Sequence, residues 1–484
     1  MLTIPERGLS RDQILSDLGA MRAGDVPWRD GKTFAYVFHA TEEVTALAET
    51  ALQMFLWENA LDPTAFPSLL RLETEVVAMA AAHLHGGDEV VGNFTSGGTE
   101  SVLLAVKTAR DHARARRPDL GRGQVVLPVT AHPCFHKACA YFDVDAVVVP
   151  VDPVSFRADV AAMRAAITDR TVLLVGSAPS YAHGVVDPIA EIGALAVEHQ
   201  LLFHVDGCIG GFLLPWFAAL GAEVTRFDFG VPGVTSMSMD FHKYAFAPKG
   251  ASVVLYRDAE LRRHQIFSWS GWPGYSMVNP TIQSSKSGGP LAATWAVLRF
   301  LGRDGYLGLA AKLRDARDRI VAGVAAIPGL RVLGRPEMSL VAIGGDVNLF
   351  RVSDALRHRG WTIHPQMSLG ELEPSLHLTI TPINVPRIDE LLADLAACVA
   401  EVRAGGESGQ LAGLRQAMQA IDLDKLTDGQ IEQLLEMAGL AGGAVPGDMA
   451  DINEILDDLP SRVTDRLLTA FFNRMSRYRE PATR

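Results

Sequence analysis

The chain has 484 residues, 48% of them hydrophobic and 21% charged, and 44 Lys and Arg against 56 Asp and Glu leave a net charge of −12. At roughly 150 residues per domain this predicts two to four domains and excludes a disordered or fibrous chain. The negative balance speaks against broad binding to nucleic acid or to an anionic membrane, and leaves open a local basic pocket for a phosphate.

The first twenty residues carry Glu6, Arg11, Asp12 and Asp17, charges foreign to the apolar stretch of a targeting segment. Residues 1–70 are predicted as an N-terminal arm, helical from about Glu42, with Leu47, Leu52, Phe55 and Leu56 as its apolar face. Over 71–289 short apolar runs alternate with amphipathic helices such as Asp159–Ile167 and Ile189–His199. The runs Val125–Val129, Ala146–Val149, Val172–Val175, Leu201–Val205 and Ser252–Tyr256 are predicted strands. Such near-continuous apolar strands point to an α/β domain with a mainly parallel sheet covered on both faces. The longest uncharged apolar run, Gly207–Ala222, is too short to cross a membrane and is broken by Gly210, Gly211 and Pro215.

The polar stretch Ser268–Pro290 interrupts the alternation, and a smaller α+β domain is predicted over 290–403. Its helices are Leu291–Leu301, Leu307–Ala326 and Arg387–Val402, and its strands Leu330–Leu333, Leu340–Ala342 and Leu376–Ile380. Ala404–Gly409 reads as a hinge into a helical extension over 404–484. There Thr427 and Gln430 form a capping box ahead of Ile431, Leu434 and Leu435, Gly439 suits a C-cap, and Val463, Leu467, Phe471 and Met475 line a later helix. The four cysteines, Cys134, Cys139, Cys208 and Cys398, are too sparse for a disulfide framework and fit a reducing cytoplasm.

Several common motifs are missing. Gly31-Lys32-Thr33 resembles the end of a phosphate-binding loop, but Val26 stands where its first glycine is needed. No GxGxxG or GxSxG occurs, and His83-x-His85 and Cys134-x4-Cys139 lack companion pairs for a metal, so no metal site is predicted.

Four elements remain. Thr95-Ser96-Gly97-Gly98-Thr99-Glu100 opens a helix, and is either a plain capping turn or an anion cradle in which Gly97 and Gly98 admit the anion and Thr99 adds a hydroxyl. Asp206, ending the strand Leu201–Val205, is a turn cap or the counter-ion of a protonated ring nitrogen. Lys243, in Ser236-Met237-Ser238-Met239-Asp240-Phe241-His242-Lys243, is a surface lysine or an imine-forming amine whose pKa enclosure and a nearby cation such as Lys249 push down. His132, after the strand Val125–Val129, is a satisfied structural histidine or a ring that stacks on a planar cofactor. Together they supply a phosphate cradle, a stacking ring, a pyridinium partner and an imine-forming lysine, which are the protein-side needs of pyridoxal 5′-phosphate.

Over 31–403 the chain resembles the sphingosine-1-phosphate lyase branch of the group II pyridoxal-phosphate decarboxylase superfamily. The resemblance rests on Trp57-Glu58-Asn59, Phe66-Pro67-Ser68, Thr95–Glu100, His204–Phe212, His242-Lys243-Tyr244-Ala245-Phe246-Ala247-Pro248-Lys249-Gly250, Pro280-Thr281-Ile282 and Ser285-Lys286-Ser287-Gly288-Gly289. It implies the aminotransferase-type fold (fold type I) and a homodimer with active sites at the subunit boundary. Lys243 would be the Schiff-base lysine, Asp206 the partner of the pyridine nitrogen and His132 the stacking ring. Gly97, Gly98, Thr99, Ser238 and His242 would hold the cofactor. Lys249 would line the pocket and act in catalysis, while Ser285 and Gly288 would arrive from the partner subunit. Three positions depart from the family pattern: Asp62 stands in place of a histidine, Lys286 in place of an arginine, and Phe38 in place of a tyrosine.

The implied activity is a pyridoxal-phosphate-dependent carbon–carbon lyase that cleaves an amino-alcohol substrate to an aldehyde and an amine after the substrate displaces Lys243. The alternative is α-decarboxylation of an amino acid. A third reading is a cofactor-binding protein whose catalysis has decayed. The expected partners are a small-molecule amine and a second copy of the chain, with no nucleic acid and no integral membrane segment.

Overall fold

A computed structural model describes residues 2–405, 415, 426–437, 440 and 447–478. It divides into two compact units, one of residues 34–343 and 377–388, the other of 1–33, 344–376 and 389–484.

The larger unit is built on a seven-stranded sheet of β1 (Val91–Thr95), β2 (Gln124–Pro128), β3 (Asp145–Val149), β4 (Thr171–Ser177), β5 (Leu202–Asp206), β6 (Ser236–Asp240) and β7 (Ser252–Tyr256). Their order across the sheet is β1-β7-β6-β5-β4-β2-β3. Strands β3, β2, β4, β5 and β6 run parallel, and β7 is antiparallel to both its neighbours. Every residue of β2, β4, β6 and β7 is buried, because helices cover both faces and no side chain on those strands meets water. On one face Val102, Val106 and Ala109 of the helix Gly98–Arg116 and Phe135 and Ala138 of the helix Cys134–Phe142 pack on Val125, Leu127 and Val175. Each such large apolar side chain contributes roughly 1.5–3 kcal/mol. The C-terminal ends of β1, β2, β4, β5 and β6 open on one rim of the sheet, where ligands of such sheets bind.

The expected strands of the large sheet are found within two residues of their predicted bounds; the small-domain strands appear as Leu330–Val332, Leu340–Gly345, three residues longer than expected, and Ser375–Thr379. The two helices expected after residue 290 form one helix, Gly288–Ala325, interrupted at Gly302, whose φ of 53° is open to glycine at little cost. The arm's helix, Glu42–Met54, buries Val44, Ala48 and Ala51 against Ala293 and Val297, whereas Leu56 is exposed and Leu47, Leu52 and Phe55 are half-buried. Small residues were passed over because the apolar face was sought among large ones. Strands β1 and β6 and the hairpin Phe267–Trp269/Met277–Asn279 were not foreseen, since Gly92, Asn93 and the serines of β6 break the β-branched pattern.

In the smaller unit the Thr427–Gln430 capping box is present, with Thr427 N donating to Gln430 Oε1 at 2.9 Å and Gln430 N to Thr427 Oγ1 at 3.3 Å. The helices Asp428–Met437, Ala450–Asp458 and Ser461–Met475 close on Ile431, Leu434, Leu435, Ile452, Ile455, Val463 and Leu467. Asp354 Oδ2, on the helix Leu349–His358, accepts from Met449 N at 2.9 Å and Ala450 N at 2.6 Å and so caps the second of these helices. Arg351 adds ion pairs to Asp451 at 3.1 Å and Glu454 at 3.2 Å. Gly439 and most of the expected hinge, 406–409, lie outside the described residues.

Candidate active site

Beyond Asp240, the last residue of β6, the chain turns through Phe241–Gly250. Phe246 stands in the left-handed region at φ 61°, which costs a side-chain-bearing residue roughly 1–2 kcal/mol. The turn is held by Phe246 N donating to Lys243 O at 3.0 Å and by two buried tyrosines. Tyr244 OH donates to Ile380 O at 3.0 Å, and Tyr306 OH to Ala245 O at 2.9 Å. The turn directs Lys243 Nζ to 2.9 Å from Asp240 Oδ2, with His242 Nε2 at 3.5 Å from the same oxygen.

Asp240 is 2% exposed. Its Oδ1 is buried with no hydrogen-bond partner, the neighbouring Ser252 hydroxyl being bonded to Met239 O at 3.1 Å. Burial disfavours charge on Lys243, but Asp240 above all, with Asp206, outweighs it and holds the ammonium above the ordinary lysine range. The lowered pKa expected from enclosure is therefore reversed in the chain by itself, because that expectation left out Asp240. Lys249 goes the other way: burial and then repulsion from Lys243 push its ammonium down to about 8, with Asp240 opposing. The residue is exposed overall, so water offsets part of that shift. Its Nζ lies 3.5 Å from His242 O and 5.0 Å from the centroid of Phe38, which packs edge-on to Tyr244.

Asp206 ends β5 on the same rim. Its Oδ1 accepts from Cys208 N at 3.0 Å and from Ser238 Oγ at 3.3 Å. Ser238 is fully buried, and its hydroxyl also meets His204 Nε2 at 3.2 Å and Cys208 Sγ at 3.2 Å. Its observed contacts therefore orient Asp206. Burial lowers the His204 pKa to about 4, so the ring is neutral where it touches Ser238. His132 is exposed, with its Nδ1 accepting from Cys134 N at 3.2 Å, which fixes the ring and leaves its face open.

Gly97 precedes the helix Gly98–Arg116, which has no side-chain cap. A Cβ on Gly98 would lie 2.6 Å from Cys208 Sγ and 3.0 Å from both Asp240 oxygens, and one on Gly97 would lie 3.5 Å from His242 Cε1. Gly98 is thus what lets the helix start reach Asp240, whereas a side chain at Gly97 would make only an ordinary contact with His242. Thr99 is exposed beside them. Glu100, 6% exposed, accepts from Ser96 N at 2.6 Å and Ser96 Oγ at 2.7 Å through one oxygen, and from Ile282 N at 2.7 Å and Gln283 N at 3.2 Å through the other. An uncapped helix start, a glycine-lined approach and an amine fit a phosphate-bearing aldehyde, and so fit pyridoxal 5′-phosphate.

The segment after Gln283 belongs to a different cleft. Ser285 is exposed, and Gly288 N donates to Glu58 O at 2.9 Å with Leu69 Cδ2 only 2.8 Å from where its Cβ would be. Among the described residues, no hydrogen bond or ion pair joins either of them to Lys243. Lys286, 6% exposed, donates to Phe94 O at 2.8 Å and to Glu73 Oε1 and Oε2 at 3.2 and 3.3 Å. Glu73 also accepts from Asn93 Nδ2 at 3.0 Å and Phe94 N at 2.9 Å. The charge of Lys286 is therefore spent inside the protein. Asp62 Oδ1 accepts from Thr64 N at 2.8 Å and Thr64 Oγ1 at 2.6 Å, which makes it a turn residue, with its pKa lowered chiefly by the Thr64 side chain. Asp62, Lys286, Glu73, Tyr275 and Asn279 line this cleft of about 600 Å³.

Sequence reasoning missed Asp240, Glu100, Glu73 and Tyr306. The signal for Asp240 was its position at a strand end three residues before the lysine, and that for Glu100 was Ser96 four residues before it; Glu73 and Tyr306 act on distant segments and leave no local pattern.

Residues 2–342 match the "Pyridoxal-dependent decarboxylase conserved domain" family, and residues 412–474 match "Pyridoxal-dependent enzyme, C-terminal putative HTH domain". The chain is 39% identical over 442 residues to a sphingosine-1-phosphate lyase of Oryza sativa, covering 89% of this chain and 80% of that one. It is 40% identical over 410 residues to the Arabidopsis thaliana sphingosine-1-phosphate lyase, covering 83% and 74%. A solved sphingosine-1-phosphate lyase of Burkholderia pseudomallei superposes with a TM-score of 0.80 at 38% identity, covering 88% of this chain and 97% of that one. A Lactobacillus brevis glutamate decarboxylase superposes with a TM-score of 0.74 at 20% identity, a likeness of fold alone that gives the decarboxylase alternative no further support. The cofactor is pyridoxal 5′-phosphate, the fold is fold type I, and the enzyme is a carbon–carbon lyase. No helix among the described residues is long and apolar enough to cross a membrane. With most of its length matched at this level, the chain belongs to the pyridoxal-dependent decarboxylase family, in the branch of the sphingosine-1-phosphate lyases.

Proposed function

We propose that the substrate is sphingosine-1-phosphate or a close phosphorylated amino alcohol, cleaved between the carbinol carbon and the amine-bearing carbon. The observation that carries this is the 39–40% identity to sphingosine-1-phosphate lyases over more than four-fifths of the chain. When bound, the cofactor supplies an aldehyde that captures amines and a ring that draws off the electron pair of the breaking bond. Lys243 is the amine that holds it. Asp206, oriented by Cys208 N and Ser238 Oγ, is the fixed negative charge that keeps a proton on the ring-nitrogen side of the site. His132 offers its open ring face, and Gly97, Gly98, Thr99 and His242 form the anion end.

In the cleavage a base takes the proton of the substrate hydroxyl, the carbon–carbon bond breaks, the carbinol carbon leaves as an aldehyde, and the amine-bearing carbon takes up a proton. Lys249, with its ammonium pushed down to about 8, is our candidate for that base, because a group titrating near the working pH both takes and returns protons. Lys286 does not meet the substrate phosphate, its charge being committed to Glu73.

We further propose a homodimer in which the exposed Ser285 reaches the partner's site, since within one chain it does not contact the Lys243 cluster; Gly288, buried against Leu69 and Glu58 O, would serve that segment by letting it pack closely. Four free buried cysteines support a reducing, cytoplasmic setting. The large domain (71–289) is supported by β1–β7 all falling between residues 91 and 256, whereas the proposed arm (1–70) and small domain (290–403) are each divided between the two compact units, the latter at 343/344, and the extension (404–484) groups with 344–376.

The test is incubation of the loaded enzyme with sphingosine-1-phosphate and, separately, with an amino-acid panel. The expected result is a long-chain aldehyde with one equivalent of phosphorylated amine. Carbon dioxide from an amino acid, with no aldehyde from the lipid, would overturn the assignment.

A further inference from the structure

Strands β5 and β6 carry a row of polar side chains through the interior of the sheet. His204 and Asp206 of β5 pair in parallel register with Ser236 and Ser238 of β6, and alternate strand residues share a face, so the four side chains stand side by side. All four are buried, His204 and Ser238 completely. Burying such groups costs free energy unless their hydrogen bonds are made.

Ser236 Oγ lies 2.9 Å from His204 Nδ1, and His204 Nε2 lies 3.2 Å from Ser238 Oγ. Ser238 Oγ also meets Cys208 Sγ at 3.2 Å and Asp206 Oδ1 at 3.3 Å. These contacts take one hydrogen each, and the row holds just enough: the hydroxyls of Ser236 and Ser238, the Cys208 thiol and one imidazole N–H. A single placement makes every contact and strands nothing. Ser236 donates to Nδ1, Nε2–H donates to Ser238 Oγ, the thiol donates to the same oxygen, and Ser238 donates to Asp206. With the hydrogen on Nδ1 instead, Nε2 must accept from Ser238, Asp206 loses its hydroxyl donor and keeps only Cys208 N, and the Ser236 hydrogen has no acceptor among the described residues. An imidazolium strands that same hydrogen, and burial opposes it by lowering the His204 pKa to about 4.

We propose that His204 is a positioning residue: held as its Nε2–H tautomer by the Ser236 hydroxyl, it turns the Ser238 hydroxyl onto Asp206 and so presents Asp206 to the cofactor's ring nitrogen as an oriented carboxylate. A donor aimed at a carboxylate favours its charged form, which is the form a ring-nitrogen proton needs opposite it. His204 never touches Asp206 and acts only through Ser238. The inference rests on Asp206 as the ring-nitrogen partner proposed above, but the tautomer belongs to the chain alone and is read without cofactor.

In the cofactor-free wild-type chain carrying 15N-labelled histidine, long-range proton–nitrogen correlation NMR distinguishes the two tautomers, and the ring signal missing from a His204 variant identifies the residue. The expected result is a protonated Nε2 and a bare Nδ1. A protonated Nδ1, alone or with Nε2, would overturn the proposal, and the signal is read in a chain whose fold is intact. The second measurement is cofactor affinity at equilibrium. His204→Leu is expected to weaken pyridoxal 5′-phosphate binding about tenfold or more, whereas His204→Gln, whose amide N–H still donates toward Ser238, should lose less than about threefold. Equal losses in the two variants at equal unfolding midpoints would mark a purely structural histidine and overturn the proposal. Asp206→Asn separates the two levels. If it weakens binding while a folded His204→Leu does not, the positioning role falls and Asp206 keeps its own; if neither variant weakens binding, the assignment of Asp206 falls first.

Discussion

Replacing Lys243 with alanine is expected to lower turnover by about 10³-fold or more with cofactor in excess, while the chain stays folded. The loss is large because the amine does two jobs: it anchors the cofactor, and once displaced it is a base within the closed site. No neighbour replaces it. Lys249 is six residues on, at the far side of the His242 carbonyl, and is exposed rather than enclosed. The substitution also strips Asp240 of its 2.9 Å partner and leaves a buried carboxylate facing only His242, so a modest loss of stability should accompany the kinetic one. The check is steady-state turnover with circular dichroism on the same preparation. Turnover near wild type would remove Lys243 from the centre of the mechanism.

The second large effect is on stability. Glu73→Ala should cost about 3–5 kcal/mol, because it leaves the Lys286 ammonium, 6% exposed, with only Phe94 O for a partner. It also removes the acceptor for Asn93 Nδ2 and Phe94 N within β1. Adding Lys286→Met in the same chain should recover much of the loss, because replacing both members of a buried pair is far milder than breaking it. The midpoint of chemical unfolding of the single and double variants checks this. A single variant as stable as wild type would show that water reaches Lys286. Its conservative counterpart, Glu73→Gln, keeps the acceptor oxygen and should fall between the two.

The α/β plan, the parallel strands and the Lys243, Asp206, Gly97–Gly98 and His132 set were legible because each leaves a local trace: an apolar run, a strand end, a glycine pair before a helix. What was not legible is how those residues are held. Glu100 fastens Ser96 to Ile282 and Gln283, and Tyr306 reaches back to Ala245, pairings that only the fold brings together. The charge on Lys243 was misjudged for a related reason. Its environment was read from the residues flanking it, and the decisive neighbour, Asp240, ends a strand whose serines hid it from pattern recognition. Lys286 looked like a weakened phosphate ligand, and only its burial against Glu73 shows that its charge is already used.

The helix Ala450–Asp458 has no side-chain cap of its own, and its first amides are answered by Asp354, almost a hundred positions earlier. A module that borrows its terminal anion in this way is not portable. Grafted onto another enzyme, or expressed alone, it would have to find a substitute for that carboxylate and for Arg351, so sequences carrying this extension should change at 351 and 354 in step with 449–454. The extension is better understood as an annex sharing a wall with the helix Leu349–His358 than as a detachable appendage.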